Sequence, residues 1–541
     1  MRFRNKKLSS FGATYSRSYA IGSLFLLVIA IRVALIGSAP YADEGHYAAA
    51  AYFQYLGYTK GQFAPDSFIP PFGGLELYPL LASWIYFIPA EPYFLLRVAD
   101  ALYAAFSGVM LYKYLHLATG QNLPSYLAAV LTIVAVNHPE FIEAGARNPI
   151  QLATLLIYCS LYLLERDQGR RIFLPAICLA AAVLIREPFV MFAGIVVLLV
   201  WFQIGMRKAI GFFLVATIFA TLVIFSVAIL KGGIASGVAT MFDAYAHSPV
   251  TNSDFNLTLS ERVQRLLGHV TIVQTVLAFC MPVFIVGIFS PLLAPSFRNK
   301  KTLRLYIIGV GLFLAPLIEI LSKKPYPYHL AQMFIGFGIF ASFGFAVFFE
   351  STRRILPYWP VTSWCLLVFL PFGHIFLAQD YFRTMRHAAG WSLHFAPVMV
   401  LGNWSSPVVN DSYYLKIAAI VRRYSMPGSA ILSTSYNVYP LTGTVPVTRK
   451  TASLFEYQFT TKDINMDEEV ARLIRDRHPV VFVEDQAPSL QVGERIDPIG
   501  VQIASEFGKS IDVGPGLSPY RLFAAKVHVN NSQLKSDTGR P

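Results

Sequence analysis

Long apolar stretches recur eleven times in the first 378 residues of this 541-residue chain. They lie near 20–39, 96–118, 123–138, 149–164, 172–186, 188–204, 210–230, 270–292, 305–321, 329–349 and 358–378. About 20 apolar residues of helix cross the hydrocarbon core of a bilayer. Inside that core every backbone N–H and C=O must be satisfied within the segment, so runs of this kind read as helices. The chain is therefore expected to be a polytopic α-helical membrane protein of about 11 spans.

Composition agrees. Charged residues make up 14% of the chain and hydrophobic residues 55%, with a mean hydropathy of +0.51. Soluble domains usually carry about 25% charged residues, so a soluble enzyme and a disordered protein are both excluded. A net charge of +13 would suggest nucleic acid in a soluble protein. Here the loops explain it, and no nucleic-acid partner is expected. With the N-terminus inside, the cytoplasmic loops hold 17 Lys and Arg against three acids. The outer loops up to residue 378 hold nine basic residues against 11 acids. This asymmetry is the positive-inside pattern, and an odd number of crossings puts everything after 378 outside. The basic N-terminus and full-length first run read as a signal anchor. The four cysteines sit in apolar runs without metal-ligand spacing, and no disulfide is expected.

Beyond 378 both signs of charge return and long apolar runs stop, except over 388–402. That stretch is short for a span and reads as interfacial or re-entrant; if it crosses, the tail lies on the other side. Residues 379–410 read as an interfacial linker and 411–528 as a small outer α/β domain. Within the domain, 413–424 and 467–477 are expected to be helices. Residues 430–433, 480–483 and 520–527 are expected to be strands. The polar segment 529–541 reads as disordered.

The most informative segment follows the first run: Pro40-Tyr41-Ala42-Asp43-Glu44-Gly45-His46-Tyr47. Two adjacent carboxylates stand just outside the membrane, with Arg32 inside the preceding span. The first outer loop, 40–95, carries Pro70-Pro71 and aromatics through Tyr78, Trp84 and Tyr86, and reads as interfacial helices. A carboxylate here can take a proton from an attacking hydroxyl, while cations stabilise a phosphate leaving group. Arg32 either contacts such a phosphate or pairs with Asp100 in the second span.

The Asp43-Glu44 pair with Tyr47, the Pro-Pro turn and Leu95-Leu96-Arg97 opening the second span together resemble the C-type glycosyltransferase (GT-C) superfamily. More narrowly, they resemble the branch of protein O-mannosyltransferases, lipid A aminoarabinose transferase and galacturonosyltransferase-like enzymes. The resemblance implies a polytopic catalytic domain over 1–378, followed by a small periplasmic α/β domain. It also implies a polyprenyl-phosphate-linked sugar as donor, and a lipid, glycan or protein as acceptor on the outer face. Asp43 would activate the acceptor, with Glu44 in support. In the second outer loop Asn148 stands where relatives often place an acid, so Glu140 or Glu143 would substitute. Arg186 would hold the donor phosphate through its guanidinium fork, or else snorkel beside Glu187. The outer stretch Lys323-Lys324-Pro325-Tyr326-Pro327-Tyr328-His329 resembles a family segment of cations and aromatics suited to a phosphate-linked sugar.

No cofactor is implied with certainty. A divalent metal held by His46, His138 or His329 with Glu76 or Glu140 lacks a ligand spacing to support it. A transporter or flippase of lipid-linked sugar predicts broken helices and acids near the midplane, whereas most acids here stand at the outer edge. An O-antigen ligase or polymerase would place its catalytic groups in a large central outer loop. Against the resembled family, the lack of the loop domain that eukaryotic O-mannosyltransferases insert and the small outer domain favour a bacterial inner membrane over an archaeal or endoplasmic-reticulum one.

Overall fold

The computed structural model describes residues 4–40, 42–60, 77–88, 91–143, 147, 149–186, 189–230, 258, 260–261, 263–264, 282–293, 300–322, 332–355, 375–433, 437–446, 472, 475–476, 480–484 and 520–523. It divides into two compact units. One comprises Met1–Ile36, Arg97–Leu222 and Asn256–Leu393; the other comprises Gly37–Leu96, Val223–Phe255 and His394–Pro541.

The first unit is helical. Its elements are α1 (Arg4–Ala34), α4 (Pro92–Thr119, entering at Arg97), α5 (Asn122–Val136) and α6 (Pro139–Glu143). They continue with α7 (Pro149–Arg166), α8 (Phe173–Ile185), α9 (Val190–Ile204) and α10 (Met206–Leu230, leaving at Leu222). After these come α11 (Lys300–Ser322), α12 (Phe334–Ile355) and most of α13 (Ile375–Met399). Among the described residues, Arg17–Ala34, Pro92–Thr119 and Met206–Ile229 are long and apolar enough to cross a membrane. At 1.5 Å per residue, the 28-residue α4 reaches about 42 Å. Shorter apolar helices accompany them at 122–136, 173–185, 190–204 and 334–350.

Two local findings differ from the sequence expectation. The first helix begins at Arg4 and ends at Ala34, so the chain leaves it five residues before the apolar run stops at 39. Residues 388–402 are not a separate element, because 388–399 form the second half of α13. Asp380, Arg383, Arg386 and His387 break its apolar run without breaking the helix, which is why composition hides it. The hairpin between α7 and α8 closes as a Schellman turn. The Gly169 amide donates to Leu164 O at 2.8 Å and the Gln168 amide to Glu165 O at 3.2 Å, with Gln168 at a positive φ of 50°.

Small residues set the helix spacing. Without a hydrophobic drive between helices in lipid, close backbone approach supplies the packing energy. In the phenylalanine-rich α12, Gly336 lies where a Cβ would stand 2.6 Å from Gly309 O and 2.8 Å from Leu312 C of α11. Gly344 makes an equally close approach to the Val283 carbonyl. Phe284, Phe313, Phe337 and Phe340 fill the space around these contacts with ring centroids about 5 Å apart.

The second unit joins residues 37–96 to the C-terminal residues. It contains α2 (Ala42–Lys60), α3 (Leu77–Ala82) and a 3-10 turn (Ser83–Phe87). Its C-terminal part holds α14 (Tyr413–Tyr424), α15 (Val438–Thr442) and the strands β1 (Ala430–Ser433), β2 (Val445–Pro446), β3 (Val480–Glu484) and β4 (Tyr520–Phe523). The sheet order is β2-β1-β3-β4. Strand β1 is parallel to β2 and β3, and β4 is antiparallel to β3. Ala49, Tyr52, Phe53 and Leu56 of α2 form one core with Ile417 and Val421 of α14, Ile431 of β1, and Val438 and Tyr439 of α15.

Gly336→Val forces a branched side chain into fixed backbone and is expected to destabilise the chain by about 3 kcal/mol. Gly194→Ala, at a position with nothing within 4 Å, is expected to leave the thermal midpoint in detergent unchanged or slightly raised. Equal midpoints for the two variants would contradict this packing account.

Candidate functional site

The acidic pair opens α2. Asp43 and Glu44 are the second and third residues of that helix, where negative charge complements the helix dipole. Glu44 is 1% exposed. The side chains of Asp43 and His46 lie outside the described atoms. Tyr47, one turn on, meets Tyr78 edge to face with ring centroids 5.9 Å apart. Tyr86 donates a hydrogen bond of 2.7 Å to the Ala48 carbonyl and packs against Tyr52 and Tyr55. The aromatic half of the first loop thus folds back onto α2.

Among the described residues, four buried arginines stand in the helical unit: Arg32, Arg97, Arg147 and Arg186. Arg32 makes the second of the two contacts expected for it, the pairing with Asp100. Its Nη1 lies 2.7 Å from Asp100 Oδ2 and its Nε donates to Asn137 Oδ1 at 2.5 Å, joining α1, α4 and the end of α5. Asn137 in turn donates to Ile133 O at 2.8 Å. Arg97 donates to Ile36 O at 2.8 Å and Arg147 to Leu35 O at 3.4 Å. These carbonyls follow the last turn of α1, where cations offset the dipole. In the sequence Arg97 was legible as the end of the Leu95-Leu96-Arg97 motif and Arg147 only as a loop charge. Their burial sets them apart.

Arg186 follows the last residue of α8. The neighbouring positions Val183, Val190 and Met191 line an apolar groove of about 1060 Å³, together with Ala216, Gly311 and Leu314 of α10 and α11. Lys323, Lys324, Tyr328, His329 and Asn148 lie outside the described residues, as do the side chains of Glu140 and Glu143. His138 is buried and packs against Tyr381 at 5.1 Å. Among the described residues, no three His, Cys, Asp or Glu side chains group as metal ligands. His329, Glu76 and the side chains of His46 and Glu140 fall outside that set.

A second polar group, in the second unit, surrounds Glu91. Gly402, with φ of +65°, leaves room for Glu91, whose Oε1 would lie 2.8 Å from a Cβ there. The Arg422 guanidinium lies over the Trp404 ring at 4.1 Å and donates from Nε to Leu441 O at 3.0 Å. Burial lifts the Glu91 carboxyl above its ordinary 4.5, partly opposed by Arg422.

The fold is like that of ArnT, a protein of the C-type glycosyltransferase fold. The chain is similar to the crystal structure of ArnT, the lipid A aminoarabinose transferase, from Cupriavidus metallidurans bound to undecaprenyl phosphate. That match has a TM-score of 0.53 at 12% identity, covering 93% of this chain and 97% of that one. The apo form of the same protein matches with a TM-score of 0.52 at 12% identity, covering 95% of this chain and 98% of that one. At this identity the likeness is one of fold. No protein-family model matches the chain, and no curated protein matches it in sequence.

The folded chain holds the Glu91 proton more tightly than the unfolded chain does. That preference stabilises the fold below the ordinary carboxylate value of 4.5 and fades as pH rises through the folded value. Glu91→Gln is expected to flatten the fall in thermal midpoint as pH rises above the ordinary carboxylate value of 4.5, leaving the acid end unchanged. A pH dependence identical to the wild type would show that Glu91 does not carry it.

Proposed function

We propose that the chain is an integral membrane glycosyltransferase that moves a sugar from a polyprenyl-phosphate donor to an acceptor hydroxyl on the outer face. The observation that carries this reading is the fold match over 93% of the chain to a lipid-linked sugar transferase, with an Asp-Glu pair opening the first helix beyond the first span. The acceptor oxygen attacks C1 of the sugar, forming the new C1–O bond as the C1–O bond to phosphate breaks. The polyprenyl phosphate leaves as the anion, and the acceptor proton passes to Asp43. Glu44, buried beside it, supports and orients that carboxylate. Such reactions pass through an oxocarbenium-like state, so the enzyme must hold negative phosphate on one side and a base on the other.

Arg186 is proposed to hold the phosphate of the carrier, and the apolar groove lined by its sequence neighbours Val183, Val190 and Met191 is suited to the prenyl chain. Arg97 and Arg147 are further buried cations for the same charge, and guanidinium forks match phosphate oxygens. Lys323, Lys324, Tyr328 and His329 are proposed as donor contacts on sequence grounds, with Tyr47 an aromatic face for the sugar. The proposed setting is a bacterial inner membrane, with about 11 spans, the N-terminus cytoplasmic and the sheet domain periplasmic.

Purified protein incubated with radiolabelled polyprenyl-phosphate sugars and a membrane lipid extract is expected to transfer label. Asp43→Asn, folded and present at equal level, is expected to transfer about 100- to 10,000-fold more slowly. Equal rates would remove Asp43 from the mechanism.

A further inference from the structure

Glycine in a helix interior is about 1 kcal/mol less favourable than alanine. Gly45 nonetheless sits in the first turn of α2, directly after Asp43 and Glu44. The space its Cβ would enter is taken by the carboxamide of Asn437. A Cβ there would overlap Oδ1, Cγ and Nδ2 of that residue more closely than real contacts allow. Only glycine lets the carboxamide lie against the helix backbone at this point. Asn437 is 2% exposed, and its Oδ1 accepts a hydrogen bond of 2.6 Å from the hydroxyl of Tyr93, itself 1% exposed. The two ends of this contact are 392 residues apart in sequence (Gly45 and Asn437) and come together within one unit.

The place of Asn437 in the sheet adds an independent reason. It precedes α15 in the connection that follows β1, at the carboxyl end of that strand. From β1 the chain goes to β2 on one side, then returns to β3 on the other. In open α/β sheets, this reversal is where the fold presents groups to a ligand. Here it presents Asn437 to the turn that bears the two acids.

We infer that Asn437, fixed by Tyr93, is a positioning residue for the Asp43–Glu44 pair. The folded C-terminal sheet thereby sets the orientation of the acidic turn. The inference rests on reading that pair as the acceptor-activating carboxylates. Small displacements of reacting groups are worth up to about 100-fold in rate, so the contact acts on kcat rather than on donor binding.

The test uses the full-length protein with Asn437→Ala, Tyr93→Phe and Asn437→Asp. Asn437→Ala is expected to lower kcat about 10- to 100-fold with donor KM unchanged, and to speed amide hydrogen exchange over 42–48. Tyr93→Phe is expected to act in the same direction but less strongly. Asn437→Asp keeps the oxygen that Tyr93 binds but adds a negative charge beside the acids. It is expected to move the acid limb of the kcat–pH profile upward by about one unit, which loss of packing alone would not do. Unchanged exchange over 42–48 in Asn437→Ala overturns the inference. So does faster exchange with wild-type kcat, or an unmoved pH profile in Asn437→Asp. If the wild type transfers no sugar from any donor, the reading of function fails, and the exchange arm still decides whether Asn437 orders the turn.

Discussion

The apolar face of α2 is the surface on which the second unit is built. Ala49, Tyr52, Phe53 and Leu56 are all at most 7% exposed, and the residues that cover them come from α14, β1 and α15. A helix of α2's length is marginal on its own in water. It is held because a sheet formed hundreds of residues later packs against it. Tyr439 illustrates the coupling. Its ring meets Phe53 edge to face at 5.5 Å, while its hydroxyl accepts the Ser433 amide at 3.2 Å at the end of β1. The core that stabilises the C-terminal domain is thus the core that orients the helix carrying Asp43 and Glu44.

In the helical unit the corresponding constraint is polar. A guanidinium and a carboxylate, each at most 2% exposed in the side chain, are tolerated only because they pair and because Asn137 takes a further donor. Removing one partner of such a pair typically costs about 3–5 kcal/mol, so the Arg32–Asp100 contact fixes how α1, α4 and α5 cross. Glycines let α12 approach its neighbours, and the arginines after α1 satisfy carbonyls that have no partner within the helix. Charges inside a membrane bundle usually mark function. Here Arg32 pairs with Asp100, and Arg186 is a second buried charge of the helical unit.

Much of this was legible in the sequence. Apolar runs located the helices at 96–118, 149–164, 172–186 and 188–204 to within a few residues, because span length and backbone satisfaction leave few alternatives. Helix 413–424 was legible from its amphipathic spacing, and strands 430–433 and 480–483 from β-branched and apolar runs. The first outer loop was read as helices, but nothing local could show that α2 joins the C-terminal core. Its partners are about 370 residues away, and a single sequence carries no pairing signal over that distance. The helix through 375–399 was hidden because its charges break the hydropathy pattern while leaving helix propensity intact. Asn437 was invisible for the same reason as α2's partners. The only local clue was an unexplained glycine in a helical turn.

The proposed reading is transfer from a lipid-linked sugar; its rival is transport of that sugar. The distinction lies in whether the bond between sugar and phosphate is broken. The most direct measurement reconstitutes the wild-type protein in vesicles with an isotopically labelled polyprenyl-phosphate sugar and a lipid acceptor, and follows both products by mass spectrometry. The account predicts labelled acceptor and free polyprenyl phosphate appearing in equal amounts. Labelled sugar that stays on its carrier and merely changes leaflet would contradict it.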